Sequence, residues 1–62
     1  MPTQQDVLEA FDSLGARSIQ PMALKKALEK RGFGPDSVAT AINAAIASGA
    51  LVQGPSGGIR KP

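Results

Sequence analysis

Ser48-Gly49-Ala50-Leu51-Val52-Gln53-Gly54-Pro55-Ser56-Gly57-Gly58-Ile59-Arg60-Lys61 decides how the chain folds, because its pattern changes in mid-stretch. Gly49 ends the apolar periodicity that precedes it. Ala50-Leu51-Val52-Gln53 then reads as a strand, and Gly54 through Gly58 is turn chemistry throughout. Ile59-Arg60-Lys61 can return as a second strand, so residues 50–61 predict a hairpin with a five-residue loop.

Upstream of the hairpin the period is helical. Gly34-Pro35 is a start signal, with Gly34 as N-cap and Pro35 at the first helical position, where its missing N–H costs nothing. A helix over 35–48 follows, with Val38, Ile42, Ala45 and Ile46 inward and Asp36, Thr40, Asn43, Ala44 and Ala47 outward. Before it, Arg31-Gly32-Phe33-Gly34-Pro35 is a tight turn in which Gly32 can close a preceding helix. That helix spans 21–31, with Leu24, Ala27 and Leu28 inward and Lys26 and Lys30 pointing furthest out. Arg17-Ser18-Ile19-Gln20 precedes Pro21, and the residue before proline favours extended geometry, so a short strand is expected over 17–20.

The first helix is expected over 3–14. Thr3-Gln4-Gln5-Asp6 is a variant of the capping box, and Gly15 suits the left-handed closing position. Val7, Leu8, Phe11 and Leu14 make its apolar face. Joining the inner faces predicts one core of Val7, Leu8, Phe11, Leu14, Ile19, Leu24, Leu28, Val38, Ile42, Ile46 and Leu51, with Phe33 over its edge. Residues 1–62 are too few for a second domain.

The order of helix, short strand, helix, tight turn, helix and hairpin resembles the winged helix-turn-helix superfamily over nearly the whole chain. Three segments carry the resemblance: Ile19-Gln20-Pro21, Arg31-Gly32-Phe33-Gly34-Pro35, and Ser48-Gly49-Ala50-Leu51-Val52. It implies a mainly α fold, a three-helix core with a small β-hairpin as the wing. It also implies double-stranded DNA as partner, with the third helix in the major groove and the second helix and wing near phosphates. Carried over to this chain, Thr40, Asn43 and Ala47 would face bases. Lys26, Lys30, Arg60 and Lys61 would contact phosphates.

The residues themselves bear on that reading in both directions. Asn43 can bond adenine bidentately, and a Thr or Ala methyl can meet the thymine methyl. The same residues also suit a plain exposed face, and Ala39, Ala44 and Ala47 suit helix propensity alone. The formal charge of +2 is unevenly spread: residues 1–16 carry −3, residues 17–31 carry +4 and residues 32–62 carry +1. A polyanion approached from the basic side fits this pattern. The third helix has no Lys or Arg on its outer face, however, and carries Asp36. A protein-interaction module therefore stays open, with the Ala-rich third helix or an exposed sheet edge as its surface. A homodimer would double the weak basic surface.

Composition excludes more than it selects. There is no Cys and no His, which removes the thiolate, the commonest general base and the commonest metal ligand. Asp6, Glu9 and Asp12 lack the further ligands of a metal shell, and Gly54–Gly58 lacks the Lys-Ser/Thr ending of a P-loop. Lys25 and Glu29 stand at ion-pair spacing on one helix. The expectation is a non-enzymatic DNA-binding module without metal, cofactor, small-molecule substrate or membrane partner. It would act in transcription regulation, as a small regulator or the terminal domain of a larger DNA-associated protein. The opening residues lack the basic and apolar regions of a signal peptide, so a cytoplasmic location is expected.

Overall fold

A computed structural model describes residues 2–62. It has three helices, α1 (Gln4–Ser13), α2 (Pro21–Lys30) and α3 (Pro35–Ala47). Three short strands, β1 (Ser18–Ile19), β2 (Val52–Gln53) and β3 (Ile59–Arg60), complete it. The helices end within a residue of the expected boundaries. The strands are two residues each, shorter than the 17–20 and 50–61 spans allowed. Among the described residues no helix is long and apolar enough to cross a membrane.

Local chemistry explains each boundary. The Thr3 hydroxyl accepts from the Asp6 amide at 3.1 Å, and the Asp6 carboxylate accepts from the Thr3 amide at 2.8 Å. This reciprocal pair satisfies two amides that the first helical turn leaves free. Pro21 and Pro35 open α2 and α3, each after a residue in extended geometry. Past Gly49, which takes φ +84°, the Ala50 and Leu51 amides fold back to the Ala45 carbonyl at 3.0 and 3.2 Å. That reversal aims the chain from α3 into the hairpin.

The sheet is antiparallel in the order β1-β3-β2, so β3 is its middle strand. Ser18 lies opposite Arg60 and Ile19 opposite Ile59 on one side of β3; Val52 lies opposite Arg60 and Gln53 opposite Ile59 on the other. The hairpin loop is closed by the Gly54 amide donating to the Gly58 carbonyl at 2.8 Å. Gly57 takes φ +90° at its tip, where a β-carbon would be strained. At Gly58 a β-carbon would lie 2.5 Å from the Ser18 hydroxyl of β1, so a larger residue there requires the Ser18 side chain to turn away.

One core joins all these elements. It comprises Val7, Ala10 and Phe11 of α1, Leu24 and Leu28 of α2, and Val38, Ala41, Ile42 and Ala45 of α3. Ile19, Leu51 and Ile59 close it from the sheet side. Leu8, Phe33 and Ile46 pack against its edge.

Two expectations need correction. Leu14 is 40% exposed, because it follows the last residue of α1 and caps the helix beyond its packed face. The Lys25–Glu29 pair is not formed; among the described residues the ion pairs run between elements instead. Arg31 reaches Glu9 at 3.9 Å, and Lys61 pairs with Asp12.

The capping box also yields a pH-dependence. The Thr3 backbone amide, and then the Thr3 hydroxyl, hold the Asp6 carboxyl below its ordinary value of 3.8. A carboxyl lowered in the folded state stabilises above the unfolded value, and that contribution disappears as pH falls through the folded value. Thr3→Ala is expected to cost about 1 kcal/mol at pH 7. Urea denaturation at pH 7 and at low pH tests the carboxylate itself: the gap between wild type and Asp6→Asn, which removes the charge that the Thr3 amide meets, should narrow as pH falls below the carboxyl's ordinary value. A gap unchanged with pH would refute the carboxylate's part in the cap.

Candidate functional site

The outer face of α3 is built by subtraction. Val38, Ala41, Ile42 and Ala45 turn inward, so Thr40, Asn43 and Ala47 are left along the opposite side, and all three are exposed. Their short side chains give a narrow ridge on which the helix backbone can approach a partner closely. The Thr40 hydroxyl already donates to the Asp36 carbonyl at 3.0 Å, which leaves it an acceptor oxygen and a methyl for recognition. Asn43 makes no side-chain hydrogen bond among the described residues, so its donor and acceptor are both free.

Asn43 lies on the wall of a groove between α2 and α3. Pro21, Met22, Lys25, Ala39 and Ile42 form the rest of it, around a volume of about 230 Å³. Met22 is 63% exposed there. Sequence reasoning passed over Met22 and read Lys25 only as an ion-pair partner of Glu29, although a signal existed for Met22. Met22 stands about 200° around the helix from Leu24, so it cannot share the inner stripe. A large apolar residue on an outer face is a candidate contact.

The basic residues are not gathered in one cleft. Lys26 and Lys30 are exposed on α2 and line neither cleft. Arg60 and Lys61 come together with Arg17 in a second cleft, where Phe11, Asp12 and Ala16 complete the lining. The register explains the meeting. Ser18 opposite Arg60 carries Arg17 and Lys61 to the end of the sheet away from the hairpin loop. Pro21 and the start of α2 leave β1 toward the loop end. Of the four bases expected at phosphates, Lys26 and Lys30 therefore belong with the helical face. Arg60 and Lys61 belong with Arg17.

Compared with family models, with curated proteins and with solved structures, the chain matches none.

Proposed function

We propose that the chain is a winged helix module that binds double-stranded DNA in the cytoplasm, acting as a small transcriptional regulator or as part of a larger DNA-associated protein. The observation that carries this reading is the exposed ridge Thr40-Asn43-Ala47, with the unpaired Asn43 amide at its centre and Lys25 beside it. A ridge of short side chains fits a major groove, and Asn43 offers the donor and acceptor that adenine requires. Lys26 and Lys30 supply sequence-independent phosphate contacts, and a dimer would add a second set. No catalytic step is assigned to any residue.

The test is a titration into random and selected duplexes at several salt concentrations. Lys26→Gln or Lys30→Gln should weaken binding to all sequences alike and flatten the slope of log affinity against log salt by about one unit. Asn43→Ala should cost about 1–3 kcal/mol on a preferred site and little on random DNA. Ala47→Glu should abolish binding without unfolding the helix, since Ala47 is exposed. Equal affinities of wild type and Asn43→Ala across a randomised library would refute base reading.

A second reading rests on Met22. An exposed methionine beside Pro21 and Ala39 in a largely apolar groove suits a protein partner. Under that reading Met22→Ser removes binding, salt matters little, and Asn43→Ala leaves any weak DNA affinity intact.

A further inference from the structure

We propose that the cleft between the end of α1, β1 and the end of β3 is a phosphate-binding site separate from the α3 ridge, with Asp12 as its internal competitor. The cleft is open to solvent and has a volume of about 410 Å³. Three bases and one acid line it: Arg17, Arg60 and Lys61 against Asp12. They come from distant parts of the chain, and the β1–β3 register brings them together.

The three bases are not equivalent. Lys61 pairs with Asp12, and its Nζ lies 6.0 Å from the centre of the Phe11 ring. Arg17 and Arg60 have no ion-pair partner among the described residues. Two unpaired guanidinium groups present planar forks that match the oxygens of a phosphate, and the cleft keeps a charge of +2 with Asp12 counted. Ala16 adds no bulk at the rim. A phosphate bound between the forks takes the place of the Asp12 carboxylate on Lys61, while the ammonium keeps its position near the ring. Asp12 thereby competes with an incoming anion for Lys61.

Inorganic phosphate is the probe, titrated at constant ionic strength and followed by backbone amide shifts. The expected result is saturable shifts at Arg17, Ser18, Arg60 and Lys61, with Lys26 and Lys30 unmoved. Asp12→Asn should tighten binding about two- to fivefold, because it releases an exposed ion pair and removes a repulsion. Arg17→Gln and Arg60→Gln should each weaken binding about tenfold. Each of these residues is exposed, so none of the variants threatens the core. A random duplex added to the phosphate-loaded protein assigns the source. Displacement of phosphate makes the natural ligand a phosphodiester of nucleic acid, whereas shifts confined to Thr40, Asn43 and Ala47 make it a free phosphate group. Either outcome supports the site, and neither depends on Asn43. Shifts that spread evenly over every base without saturating, or an Asp12→Asn affinity equal to wild type, would overturn it.

Discussion

Phe11→Ala is expected to leave the chain largely unfolded at 37 °C. Phe11 is 4% exposed and is the larger of the two aromatic contributions to packing, since Phe33 sits only at the core's edge. Truncating a buried Phe costs about 3–5 kcal/mol, from lost transfer energy and from the cavity left behind. A 62-residue domain has about 3–9 kcal/mol in all. The loss is concentrated where α1 faces the rest of the core, and the Lys61 ammonium near the ring loses its aromatic neighbour as well. Circular dichroism at 222 nm during thermal and urea denaturation measures the effect. An unchanged melting temperature would mean that the core is not centred where α1 meets the rest of the chain. Leu14→Ala is the control on the same helix end, and it should change stability by less than about 0.5 kcal/mol because Leu14 is exposed.

Ile59→Ala should also be strongly damaging, at about 2–5 kcal/mol. Ile59 is fully buried and is the only core side chain that the middle strand contributes. Its loss opens a cavity between the sheet and the helices and weakens the seating of both neighbouring strands. Amide hydrogen exchange distinguishes this from a purely local effect. Protection of the Ile19 and Val52 amides should fall together with that of Leu24 and Leu28, because one cooperative core holds them all. If only the hairpin lost protection, the sheet would be an appendage rather than a wall of the core.

The helices were legible in the sequence because their ends are written in short-range chemistry. Thr3 with Asp6, Pro21, Pro35, Gly15, Gly32 and Gly49 each act within one turn, and each stands where the local rule puts it. The core was legible where large residues recur at helical spacing. Ala10 and Ala41 escaped notice because a count of bulky residues ignores small ones that allow helices to approach. Leu14 was misplaced because the periodic face runs on past the point where α1 stops. The central position of β3 depends on pairing with β1, some forty residues earlier, and no local pattern encodes it. The same distance hid the ion pairs. Spacing along one helix suggested Lys25 with Glu29, but Glu9 and Asp12 pair with Arg31 and Lys61 across the fold.

The Thr40-Asn43-Ala47 ridge was legible in full, since an inner face defines its outer one. The meeting of Arg60 and Lys61 with Arg17 was not, because it follows from the strand register.

The two-residue length of β1 and β2 limits how another molecule can attach. Both are outer strands of the sheet, and each has room for scarcely one free amide–carbonyl pair toward solvent. A visiting peptide extending the sheet would gain almost no ladder to zip onto, and neighbouring copies would gain no template for stacking edge to edge. Any protein that docks here must therefore grip side chains on the helical faces, and its specificity will be written in shape and charge rather than in backbone pairing.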